Sequence, residues 1–144
     1  MNRALRRIPN RSQGILPMID LSHLSHVLVV EDEGLIALDI ETILREAGAG
    51  QVTSLASVED ALLALEESQF DAAVLDLHLG RHGWTYDVAS RLREKGVPFI
   101  LSSGSIEIAD DFHDVPLVLK PFSSSDLVAA VARVTSRRAV EAAE

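Results

Sequence analysis

Cysteine is absent from this chain of 144 residues. Disulfides, thiolate metal sites and cysteine nucleophiles are thereby excluded, and a reducing cytoplasm suits the composition. No apolar run approaches the roughly 20 residues needed to cross a bilayer, so no membrane partner is expected. The N-terminus carries arginines but no continuous apolar core, which argues against a secretory signal. Positive charge is also scarce. The net charge is −9, and a nucleic-acid partner would require a basic patch to meet the phosphates.

What is present fits one domain long enough to bury a core, with 47% hydrophobic and 24% charged residues. Residues 1–25 combine Arg3, Arg6, Arg7 and Arg11 with Pro9, Gly14 and Pro17 and show no sustained period. They read as a mobile, solvated tail. From His26 a regular alternation sets in. VLVV (27–30), VTSLA (52–56), residues 72–75, PFILS (98–102) and LVL (117–119) read as strands. Between them, Leu35, Leu38, Ile40, Ile43, Leu44 and Ala47 approach helical spacing, with Gly48 as a stop. Ser57 caps a second helix with Val58, Ala61, Leu62 and Leu65 on its apolar face. Thr85 is expected to cap a third helix that runs to Lys95 and stops at Gly96. Ser123 or Ser124 opens a last one carrying Leu127, Val128, Val131 and Val134.

Strands alternating with helices predict an α/β fold, a doubly wound parallel sheet of flavodoxin-like order 2-1-3-4-5. The stretch 104–116, with three aspartates and a proline, predicts a fourth crossover helix that is short, irregular or missing. The domain is placed at 26–136, and residues 137–144 continue the last helix or form a tail.

Parallel strands bring their carboxyl ends to one edge, where open α/β sheets place their ligands. Glu31 and Asp32 follow the first strand, Asp76 the third, Ser103 the fourth and Lys120 the fifth. Singly, each is more simply a loop, cap or surface residue; all five, in order, point to a site. Clustered carboxylates repel unless a cation lies between them, and oxygen ligands favour a hard ion, Mg2+ first. Such a set suits phosphoryl transfer with Asp76 as nucleophile.

VLVVEDE (27–33), VLDLHL (74–79), the Ser103–Gly104 pair and LKPF (119–122) together resemble the receiver domain of two-component response regulators. The resemblance implies that Asp76 accepts a phosphoryl group from a histidine kinase. It further implies that Asp32, Asp76 and the His78 carbonyl hold Mg2+, with Glu31 acting through metal-bound water. Ser103 and Lys120 would contact the phosphoryl group, the Lys120–Pro121 bond would be cis, and His78 and Ser105 would tune dephosphorylation.

Three departures accompany it. The position three before the lysine, where the family carries a switch aromatic, is Leu117. The segment from Ser103 to Lys120 is short, which resembles atypical alphaproteobacterial receivers that work with HWE-type and related kinases. Only SRRAVEAAE follows the domain, so a stand-alone receiver without an output domain is expected. It would be a phosphoacceptor, not a turnover enzyme, acting as a phosphate sink or shuttle beside a competing regulator or phosphotransfer protein. A phosphorylation-independent adaptor is the alternative; a metal-dependent phosphatase is a weaker one, since its general acid would fall at His78. Trp84 is expected to pack where the 76–84 loop enters the third helix.

Overall fold

A computed structural model describes residues 19–106 and 108–143, and for Asp110 and residues 137–143 the backbone alone. In chain order the elements are β1 (His26–Val30), α1 (Gly34–Glu46), β2 (Gln51–Leu55), α2 (Val58–Glu67) and β3 (Ala72–Asp76). Then come α3 (Tyr86–Glu94), β4 (Phe99–Ser103), β5 (Leu117–Leu119) and α4 (Ser124–Ala143). All strand pairs are parallel, and the order is β2-β1-β3-β4-β5, as the alternation predicts.

The period of two along each strand divides the core into two layers. Leu28, Val30, Ala73, Leu75 and Leu101 face α2 and α3, where they meet Ala61, Leu65, Val88 and Leu92. Val27, Val29, Val74 and Ile100 face α1 and α4, where they meet Ile40, Leu44, Leu127 and Val131. Every residue of β3 is buried, which is why AAVLD carries no alternation. Asp76 and Ser103 are the last residues of their strands and not the first residues of the loops that follow.

Four local expectations need correction or sharpening. Leu35 and Leu38 do not join the core; they are 84% and 58% exposed. At 100° per residue, Ala37, Ile40, Ile43 and Leu44 form one stripe, and positions 35 and 38 lie across the axis from it. Thr85 precedes α3 but makes no capping bond. Its hydroxyl is buried and donates inward, to Asp76 O at 2.7 Å and to Leu77 O at 3.2 Å. Residues 19–25, grouped by the sequence with the tail, lie against the domain: Leu21 and Leu24 are core residues, and Leu21 N donates to Ala47 O. The remainder of the expected tail, 1–18, lies outside the described residues. Finally, the stretch 104–116 has only a single 3-10 turn, Asp110–Phe112, among its described residues.

Ser57 and Ser123 do cap their helices, accepting from the amides of Asp60 and Asp126, each at 3.1 Å. The Thr85 bonds give a direct prediction. Thr85→Val keeps the shape but takes the hydroxyl donor from the Asp76 carbonyl, so stability should fall by about 1–3 kcal/mol. Denaturant unfolding of the two proteins measures it.

Candidate phosphoacceptor site

The parallel order puts the ends of β1, β3 and β5 side by side, and the chemistry predicted from sequence assembles there. One carboxylate oxygen from each of Glu31, Asp32 and Asp76 lies within 4.8 Å of the others. Glu31 and Asp76 are almost fully buried, at 3% and 5% exposure. Lys120 reaches in from the end of β5, where the Lys120–Pro121 bond is cis. Its Nζ donates to Glu31 Oε1 at 3.0 Å and to Asp76 Oδ2 at 3.1 Å.

One ammonium therefore pairs with two of the three carboxylates, Glu31 and Asp76. Burial pushes the Glu31 carboxyl above its ordinary pKa, an effect that the neighbouring Asp76 charge reinforces and that Lys120 and the Glu33 amide only partly offset. For Lys120, burial works against the charged form. The hydrogen bond to Glu31 and the charge and hydrogen bond of Asp76 outweigh it, and its pKa is raised. Three oxygen donors with an unanswered negative charge match the needs of a hard divalent cation, and Mg2+ is met by one or two carboxylates plus waters.

The loop after β3 completes the setting. His78 N donates to Asp76 Oδ1 at 3.3 Å, so both oxygens of this carboxylate are engaged. Gly80, at φ +53°, brings bare backbone beside Asp32; a Cβ there would stand 3.0 Å from Asp32 Oδ2. Ser103 Oγ accepts from Ser105 N at 3.0 Å, and Lys120 N donates to Ser103 O at 2.8 Å. Glu31, Asp32, Asp76 and Lys120 thus form one cluster, with His78 attached to it through its amide. Ser103 and Ser105 are joined to each other, with Ser103 tied to Lys120 through the backbone.

Sequence reasoning missed Thr85 and Gly80. Thr85 holds the carbonyl of the candidate acceptor itself. A glycine at the turn of an otherwise polar loop was the available signal for a close approach.

Comparison with known proteins agrees with this geometry. The curated transcriptional regulatory protein PdtaR of Mycobacterium tuberculosis is 32% identical over 117 residues; the match covers 77% of this chain and 57% of PdtaR. The chain therefore spans little more than half the length of that relative. Among solved structures, SdrG from Sphingomonas melonis Fr1 is 32% identical with a TM-score of 0.70, covering 81% of this chain and 99% of that one. A response regulator receiver protein from Sinorhizobium medicae WSM419 is 28% identical with a TM-score of 0.69, covering 79% and 96%. PhyR from Brucella abortus shares the fold at 22% identity, with a TM-score of 0.75 over 94% of this chain and 56% of its own. Residues 27–132 match the family model of the response regulator receiver domain, and they contain the acid trio, the aligned strand ends and the lysine described above. The chain belongs to the response regulator receiver domain family.

Proposed function

We propose that the chain is a phosphoacceptor in two-component signalling, taking a phosphoryl group from a histidine kinase onto Asp76. The carrying observation is Asp76 itself: it ends the central strand, clusters with two other acids, and has Lys120 Nζ 3.1 Å from Oδ2. In the transfer the P–N bond of a phosphohistidine breaks and a P–O bond to an Asp76 carboxylate oxygen forms, giving an acyl phosphate. Lys120 neutralises charge on the incoming group, and the Ser103 hydroxyl supplies a hydrogen-bond donor to it. Glu31, Asp32, Asp76 and the His78 carbonyl would hold Mg2+, which supplies charge neutralisation of the phosphoryl oxygens when bound. His78 and Ser105 flank the site and set the access of water.

The kinase, of HWE type or a relative, would dock beside the site on α1. That helix starts two residues after Asp32, and its outer face offers Leu35 and Leu38, apolar side chains that the core does not use. The chain acts in the cytoplasm by protein contact, as a sink or shuttle beside a competing regulator or phosphotransfer protein. It is a stoichiometric acceptor open to self-dephosphorylation, not a turnover enzyme. One observation favours the alternative of a phosphorylation-independent adaptor: Leu117 carries no ring with which to report occupancy of Asp76.

Incubation with a phosphorylated cognate kinase and Mg2+ separates the two. Wild type should acquire covalent phosphate and Asp76→Asn none. Absence of transfer to wild type, or equal transfer to the variant, refutes the acceptor role.

A further inference from the structure

Aromatic residues are few, one Trp, one Tyr and four Phe, yet four of the rings in this chain's described contacts stand in one file. The segment between Asp76 and α3 is a closed hairpin. Thr85 N donates to Leu77 O at 3.1 Å and Leu79 N to Gly83 O at 2.8 Å, which leaves His78 and Trp84 as a directly opposed antiparallel pair. Their rings meet edge to face with centroids 4.6 Å apart. Trp84 stacks on Tyr86 at 5.8 Å, and Tyr86 on Phe112 at 5.6 Å, with interplanar angles of 16° and 20°.

The two ends of this file are what make it informative. At one end, His78 donates its amide to Asp76 Oδ1. At the other, Phe112 belongs to the 104–116 crossover, and the Tyr86 hydroxyl accepts from Ala109 N in the same crossover at 2.9 Å. Arg93 lies over the Phe112 ring at 4.7 Å and donates to Asp111 O at 2.8 Å, which fastens that end to α3. This crossover, which has no α-helix among its described residues, is thus joined to α3 both through Arg93 and through rings that lead back to the acceptor.

We propose that this file, with Trp84 as its central positioning residue, couples the state of Asp76 to the 104–116 crossover. It rests on the acceptor reading above and says how occupancy is read in a chain with Leu117 in place of a ring. When Asp76 becomes an acyl phosphate, its Oδ1 changes from a charged carboxylate oxygen to a carbonyl or bridging anhydride oxygen, a weaker acceptor, and the His78 amide that it now binds must readjust. Because Leu77–Thr85 and Leu79–Gly83 are hydrogen-bonded on either side, His78 cannot shift without carrying Trp84. Flat rings with two side-chain torsions pass that displacement to Tyr86, and the Tyr86 hydroxyl passes it to the Ala109 amide. Coupling is reciprocal, so a partner that grips the crossover alters the affinity of the Asp76 site for the phosphoryl mimic in turn.

The test uses backbone-amide spectra of the full chain with Mg2+, before and after adding beryllofluoride as the phosphoryl mimic. Wild type should respond at Leu77 and His78 and also at Ala109 and Phe112. In Trp84→Ala the first pair should still respond, while the response at Ala109 and Phe112 falls several-fold; Trp84→Phe should restore most of it. Tyr86→Phe keeps the ring and removes the hydroxyl, so Ala109 should lose its response more than Phe112 does. Trp84 is 55% exposed, so its truncation should leave the thermal transition nearly in place. If that variant unfolds, the comparison of Tyr86→Phe with wild type decides alone. Undiminished responses at Ala109 in both Trp84→Ala and Tyr86→Phe overturn the coupling. No response at His78 in wild type overturns the acceptor reading instead, and the two failures are distinct.

Discussion

Lys120→Met is expected to cost about 3 kcal/mol of stability at neutral pH without divalent cations, and to impair phosphoryl acceptance. Removing one partner of a buried ion pair costs roughly 3–5 kcal/mol, because the other charge is left buried and unpaired. The lower end applies here, since the Lys120 side chain is 21% exposed and its ammonium is partly solvated. What remains is Glu31 beside Asp76 with no ammonium between them. Glu31 already has its carboxyl raised by burial, and the loss of Lys120 removes its chief counterweight.

The pH dependence follows from that direction. A carboxyl whose folded pKa lies above its unfolded value binds more protons folded than unfolded, so stability falls as pH rises through the interval. The deficit of Lys120→Met should therefore be full above the raised Glu31 pKa and shrink as pH drops towards the ordinary 4.5. In wild type the alkaline end carries the same sign, because the Lys120 pKa is raised as well. The Lys120 contribution is complete below its ordinary 10.5 and is lost only as pH rises through the raised folded value. Urea unfolding at mildly acidic, neutral and alkaline pH measures both, and Glu31→Gln in the Lys120→Met background should recover most of the loss. An equal deficit at all pH values would mean that lost packing of the lysine stem, not stranded charge, is responsible.

Most of the frame was legible before any coordinates, for reasons that can be named. β1, β3 and β4 are buried on both faces, and only short apolar runs satisfy that; β3 is the plainest case, with all five residues buried. The irregular 104–116 crossover was legible from Asp110, Asp111, Asp114 and Pro116, which leave too few apolar positions for a helix face. The α1 stripe was misread because leucines were counted without their phase. Leu35 and Leu38 are as apolar as Ile40 and Leu44 but stand across the helix axis from them. Thr85 shows a different limit. A threonine before a helix signals a cap, and only the closed hairpin brings Asp76 O and Leu77 O to its hydroxyl.

The candidate site divides in the same way. Residue types at strand ends identified Glu31, Asp32, Asp76, Ser103 and Lys120, because topology alone carries strand ends to one edge. That one ammonium bridges Glu31 and Asp76, 89 and 44 residues away, is a fact of three dimensions. So is the ring file, whose members between His78 and Phe112 share no sequence period.

Mg2+ should produce the second large effect. At a concentration a hundred times its dissociation constant, an ion that binds only the native state adds about 2.7 kcal/mol. For a domain of this size that is a rise in melting temperature on the order of 10 °C. The reason lies in the unbalanced charge: of three carboxylates with oxygens within 4.8 Å of one another, Glu31 and Asp76 share one ammonium, and Asp32 is outside the Lys120 pairings. Asp32→Asn should therefore abolish most of the Mg2+ effect while raising the stability of the metal-free protein slightly, because it removes repulsion without stranding the lysine. The control is sodium chloride at matched ionic strength. General screening weakens all surface charge interactions alike and cannot single out Asp32. Stabilisation by Mg2+ that survives Asp32→Asn, or that sodium chloride reproduces, would show that the acids converge without forming a cation site.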